Sequence, residues 1–280
     1  MWFIFAIVAV ILFSIHALLI RSKMQELRSH TVMWVVFLVV GICSTLALLI
    51  KSTLSTTPAL PLTGIGIIFI ILAGIASYFA NISGIAAIQK SPNPGLTSAI
   101  ISSKAILTII LGFILFETAF SSKKVLGCIL IIGSIFFIQK NYQKNKRSWI
   151  TFAFIAAPLY GIMEIFIKYS LLNSLTPLWA LCILSWTIVV LGITKIIRTR
   201  EYTHSTNIFL LSSGVITFFG NILAFMAYDL VANPGYISSI LAIQTLIIGV
   251  SSKALLKLPF TKKDILSVCI VIAGVFFLVV

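Results

Sequence analysis

The segments YFANISGIAAIQKSPNPG (residues 78–95) and FFGNILAFMAYDLVANPG (residues 218–235) lie a constant 140 positions apart and share Phe79/Phe219, Asn81/Asn221, Ile82/Ile222 and a closing Asn-Pro-Gly. The same offset pairs Gly74 with Gly214, Ser77 with Thr217, Phe120 with Phe260 and Lys123 with Lys263. At an offset of 147, Trp2, Phe5, Ala6, Ala9, Leu12, Ile15 and Ile20 fall on Trp149, Phe152, Ala153, Ala156, Leu159, Ile162 and Ile167. Self-similarity at a fixed spacing is the mark of a repeated unit. The chain reads as one unit present twice, with residues 1–140 as the first copy, 141–148 as a basic linker and 149–280 as the second copy.

What the unit is made of follows from composition. Of 280 residues, 60% are hydrophobic and 9% charged, with a mean hydropathy of +1.17. Charged residues normally make up about a quarter of a soluble domain. This is more apolar surface than one water-facing fold can hide, which excludes a soluble enzyme, a nucleic-acid binder and a disordered chain. The net charge of +14 forms no basic face that would grip a nucleic acid, because the charges are scattered between apolar runs. The four cysteines, Cys43, Cys128, Cys182 and Cys269, each sit inside an apolar run without metal or redox spacing and are expected to be packing residues.

The apolar runs cover residues 2–20, 32–50, 63–88, 94–117, 123–139, 149–170, 175–194, 207–229, 235–256 and 264–280. A helix of about 20 residues crosses a ~30 Å hydrocarbon layer. The first run lacks a basic n-region and a small-residue cleavage site, so it is expected to be a span rather than a cleaved signal. None of the runs has the alternation of an outer-membrane strand. The expected fold is therefore all-α, with ten transmembrane helices arranged as two five-helix repeats. An odd number of spans per unit turns the second copy upside down in the bilayer, and inverted repeats are the architecture of secondary transporters.

Orientation follows from Lys and Arg. Arg21, Lys23, Arg28, Lys90, Lys140, Lys144, Lys146, Arg147, Lys195, Arg198, Arg200, Lys257, Lys262 and Lys263 fall in alternate loops, against Lys51, Lys123 and Lys124 in the others. The positive-inside rule puts the first set in the cytoplasm and both termini outside, in a bacterial-type inner membrane.

These features resemble the drug/metabolite transporter superfamily, in particular its ten-helix EamA-type members. Tyr160-Gly161 followed by Lys168 is similar to the opening of that family's repeat, and Phe13-Ser14 with Arg21 is a weaker copy. Phe116-Glu117, Lys123-Lys124, Gly127 and Gly133 match its close, whereas the second half has Lys257 opposite Glu117 and keeps only Gly274. The resemblance implies the fold and the broad class, transport of a small solute, and leaves the solute open.

Ionisable groups in mid-span mark candidate sites, because each costs about 2.5–3.5 kcal/mol to insert. Lys104, about 15 Å into its helix at the helical rise, is expected near the bilayer centre on a stripe with Thr97, Ile101 and Thr108. It reads either as a contact for a carboxylate or phosphate or as an ion-pair partner of Glu164. Glu164 is a candidate proton carrier, with His16 a second titratable group or a satisfied core histidine. Asn81 and Asn221, each twelve residues before its Asn-Pro-Gly, read as helix-to-helix hydrogen-bonding groups or as mates lining a pseudo-symmetric pocket with Tyr78, Tyr160 and Tyr228. Gln244 is the mate of Lys104 at offset 140. Asn-Pro-Gly reads as helix-start punctuation, or in addition as a hinge between the third and fourth helix of each half. Lys253, Lys168 and Asp229 are expected to reach headgroups.

No hydrolase, metalloprotease or nucleotide-binding motif occurs, so an enzyme is not expected and no cofactor or metal is implied. The expected function is secondary active transport of a small polar organic solute, an amino acid or related metabolite, by alternating access. The partners are the solute, the bilayer and, as coupling ion, protons. The alternatives are a facilitator or exchanger of a nucleotide-like or phosphorylated metabolite, and a non-transporting membrane scaffold.

Overall fold

A computed structural model describes residues 1–54, 63–117, 122–141, 148–199 and 208–279. Most of the basic linker, including Lys144, Lys146 and Arg147, lies outside the described residues, as do Phe120 and Arg200. The described residues form helices α1 (Trp2–Lys23), α2 (Ser29–Leu54), α3 (Gly64–Lys90), α4 (Pro94–Ile101), α5 (Lys104–Phe116) and α6 (Ser122–Asn141), then α7 (Ser148–Leu172), α8 (Pro177–Thr199), α9 (Ile208–Leu230), α10 (Gly235–Leu241), α11 (Gln244–Leu256) and α12 (Lys262–Val279). They contain no strand. Seven helical stretches among them are long and apolar enough to cross a bilayer, counting α4 with α5 and α10 with α11 as one span each. The protein is an all-α, multi-pass membrane protein.

Helix starts follow local chemistry. The side-chain oxygens of Asn93 and Asn233 accept the N–H of Gly95 and Gly235, both at 2.8 Å, each satisfying a donor that the first helical turn cannot pair. Glu117 and Lys257 end α5 and α11 in the left-handed region, each at φ 52°. The backbone thus imposes the same stop on an acid in one half and a base in the other.

One feature of the helices had no signal in the sequence. The runs from Pro94 and from Gly235 are not continuous. Ser102-Ser103 and Ala242-Ile243 tighten into i→i−3 bonds: Ser103 N–H to Ile100 O at 3.1 Å and Ala105 N–H to Ser102 O at 3.1 Å in the first run, Ile243 N–H to Ile240 O at 3.0 Å and Thr245 N–H to Ala242 O at 3.0 Å in the second. Lys104 and Gln244 are the first residues after these breaks. A short 3₁₀ step inside a helix re-aims the side chains that follow it. The Lys104 stripe is altered accordingly, since Thr108 stays with Lys104 while Thr97 instead donates to the Ala87 carbonyl at 3.4 Å.

Packing alternates between the halves. α3 lies on α7, α1 on α9, α2 on α8, and α6 on α12. Small residues allow these approaches: a Cβ on Gly274 of α12 would come within 2.8 Å of the Gly127 carbonyl of α6, and one on Gly220 of α9 within 2.8 Å of Phe13 of α1. At the centre α4 crosses α11 while α10 crosses α5. Gly95 rests on the backbone of Gly249, and Gly112 lies directly beneath the Asn233 amide. The Asn93 amide donates to the carbonyls of Gly249 and Pro259, each at 3.4 Å. The two Asn-Pro-Gly turns therefore both start a helix and dock it on the other half.

Two expectations are corrected. Lys168 does not reach toward headgroups; it is buried, and its Nζ donates to the carbonyls of Tyr228 at 3.1 Å and Asp229 at 3.4 Å. Cys269 is exposed on the outer face of α12 rather than packed, while Cys182 is buried.

Candidate functional site

α1, α3, α7 and α9 surround a cavity of about 160 Å³ that the α4–α5 and α10–α11 breaks enter from the side. His16, Asn81, Lys104, Tyr160, Glu164, Asn221 and Gln244 all line it. Tyr78 does not: it packs against the His30 and Phe79 rings instead. Ser77 and Asn81 share the cavity face of α3, and Tyr78, one residue on from Ser77, is turned about 100° away from it. Tyr160 and Tyr228 do line the cavity, beside an apolar wall that includes Phe13, Phe37 and Phe225.

The chemical centre is an ion pair. Lys104 Nζ lies 2.6 Å from Glu164 Oε1, with Glu164 0% and Lys104 9% exposed. The other carboxylate oxygen accepts from Thr108 Oγ1 at 3.1 Å and from Ser238 Oγ. A carboxylate offers about four lone-pair sites, and Lys104, Thr108 and Ser238 take three of those on Glu164. The ammonium has more left. It has three donors, of which one is spent on Glu164, and it stands 5.4 Å from the centre of the Tyr160 ring.

The remaining groups divide in the same way into spent and open. Asn81 donates to Ser77 O at 2.8 Å and to Ser77 Oγ at 2.9 Å, and accepts the Tyr160 hydroxyl at 3.0 Å. It positions Tyr160 and has little left to offer a solute. Its mate Asn221 lines the cavity without a hydrogen bond among the described residues. His16 Nδ1 is held by Ser213 Oγ at 2.6 Å and Thr217 Oγ1 at 3.0 Å, which leaves Nε2 as the open nitrogen. Lys104, Asn221, Gln244 and His16 are among the cavity's available polar partners. Ser238 was not singled out by the sequence. Its one signal is its position at offset 140 from Ser98, which lines the cavity.

No family model and no curated protein matches the chain. Among solved structures, 28 chains match. One of them, described as "Crystal structure of protein", is 10% identical and superposes with a TM-score of 0.69 over 99% of this chain and 96% of its own. The likeness is one of fold. At that identity it carries no chemistry from one protein to the other.

Proposed function

We propose that the chain is a secondary transporter of a small polar organic solute, an amino acid or related metabolite, working by alternating access in a bacterial-type inner membrane. In this reading the ten apolar runs are ten spans, arranged as two inverted five-helix repeats of the EamA type. The observation that carries it is the central cavity, which contains a buried ion pair whose lysine retains unspent donors. The duplicated breaks before Lys104 and Gln244 support it, because the repeat puts an ammonium and a carboxamide at equivalent positions, as an asymmetric solute requires. A scaffold without transport has no use for such a cavity.

Size and charge narrow the solute. An engineered apolar cavity of about 150 Å³ takes up benzene, so the present volume of about 160 Å³ suits a solute of amino-acid size and is small for a nucleotide. Glu164 neutralises Lys104, which weighs against a phosphorylated metabolite and in favour of a solute bearing both charges. Coupling to protons through Glu164 needs rearrangement of Thr108 and Ser238, which both donate to that carboxylate.

The test is flux in liposomes. Labelled amino acids should exchange across vesicles containing the purified protein, and sugar phosphates and nucleotides should not. Uptake of phosphorylated solutes alone would favour the exchanger, and no flux of any solute would favour the scaffold. Orientation is tested separately. A phosphatase fused within residues 141–148 should be inactive and one fused after Val280 active. The reverse pattern sinks the assignment of both termini to the outside.

A further inference from the structure

The two basic residues seven positions after Ser14 and Gly161 make the same contact. Arg21, in the last turn of α1, donates from Nη1 to the carbonyl of Gln89, in the last turn of α3. Lys168 of α7 donates to the carbonyls of Tyr228 and Asp229 in the last turn of α9. At offsets of 147 and 140, Lys168 is the mate of Arg21 and Asp229 the mate of Gln89. The last carbonyls of a helix lack intrahelical partners and sit at the negative end of its dipole, so a cation is the matched cap.

The location of these caps gives them a role. α1 packs mainly on α9 and α3 mainly on α7, and the cavity separates the two pairs. Arg21 ties α1 to α3 across that gap, and Lys168 ties α7 to α9. Directly beneath the first tie, Ile20 and Ile88 line the cavity; beneath the second, Ile167 and Tyr228 do. The ties are at opposite ends. Arg21 shares a vestibule with Ser148 and Trp149, the first residues of α7. Lys168 is 20 residues further along the same helix, about 30 Å away at the helical rise.

We propose that Arg21 and Lys168 are the two gate latches of the cavity, each holding one end shut, and that alternate release of one while the other stays engaged gives the site access to one side at a time. This rests on the transport reading for its purpose but not for its test. Both latches are engaged in the structure, and the residues next to each of them line the cavity. Arg21 is half-buried and borders the vestibule, whereas Lys168 is 4% exposed. The Arg21 end is therefore the one that water and solute reach first.

The test reads accessibility rather than flux. Ala224, which lines the cavity, is replaced by Cys, and its reaction with a membrane-impermeant maleimide is followed from each side of oriented vesicles, with the chain lacking this cysteine as background. Arg21→Gln should raise labelling from the side of the Arg21 end by about tenfold, the scale of one lost charge-assisted hydrogen bond, and leave the other side unchanged. Lys168→Gln should do the opposite. Arg21→Lys and Lys168→Arg keep a cation at each gate, and their labelling should stay within about twofold of the parent, serving also where a glutamine form does not fold. Labelling raised from the same side by both glutamine variants, labelling unchanged in folded protein, or a tenfold rise with the cation retained overturns the proposal. Absence of solute flux with sided labelling intact would defeat the transport reading and leave the latches standing.

Discussion

Glu164→Gln is expected to lower the apparent melting temperature more than Lys104→Met, and the double variant should recover most of the loss. Removing one member of a buried pair strands the other, at a cost of about 3–5 kcal/mol, whereas removing both leaves no uncompensated charge. The ranking comes from the partners that remain. Without Lys104 the carboxylate still accepts from Thr108 and Ser238, but in Glu164→Gln the ammonium keeps a neutral amide oxygen and the face of Tyr160 and loses its counter-charge. Flux should not follow stability. Lys104 holds the unspent donors, so transport is expected to be lost in Lys104→Met and to stay lost in the double variant, even as its melting temperature returns. Thermal unfolding in detergent and uptake in liposomes measure the two quantities independently. Wild-type flux in the double variant would end the case for Lys104 as a solute contact, and a Lys104→Met variant less stable than Glu164→Gln would contradict the hydrogen-bond ranking.

The second large effect is expected at Gly95. Its added methyl group in Gly95→Ala would overlap the backbone of Gly249 and reach within 3.0 Å of the Thr245 carbonyl. A flexible side chain can move aside, but two crossing helix backbones cannot without separating. Overpacking of this kind costs about 1–3 kcal/mol and more where relaxation is blocked. Gly133→Ala is the control, since a methyl group there meets nothing within 4 Å among the described residues. There alanine's better helix propensity should leave stability equal or raised by up to about 1 kcal/mol. Melting curves within a degree of each other for the two variants would mean that the α4–α11 crossing is looser than its geometry indicates.

The sequence made the apolar runs legible because length and hydropathy report directly on burial in lipid, and each of the ten runs contains helix in the structure. Lys104 and Glu164 stood out for the same reason, and their pairing across 60 residues was one of the two alternatives their chemistry allowed. The breaks at Ser102-Ser103 and Ala242-Ile243 were not legible, since none of these residues is a helix breaker and the tightening is imposed where the four short helices cross. Tyr78 was misplaced because its neighbours Ser77 and Asn81 fix the cavity face only once the rotation of α3 is known. The position of Lys168 near the end of an apolar run suggested an interface, but the unpaired carbonyls at the end of α9, 60 residues away, hold it inside. Burial forced by a distant helix end leaves no local trace.

The docking of each Asn-Pro-Gly turn on the opposite half bears on how the protein is made. The Asn93 amide finds its acceptors 156 and 166 residues later, and the amide of Asn233 covers a glycine that was synthesised 121 residues earlier. At about 5–20 residues per second, the first half waits roughly 8–30 s in the bilayer with those groups uncovered. In that interval it is a half-built bundle whose central surface fits only the remainder of its own chain. Synthesis stalled between the halves would expose that surface to membrane proteases and to other nascent copies. The central crossing therefore closes only after the second half has been made, because its contacts span more than 120 residues of chain.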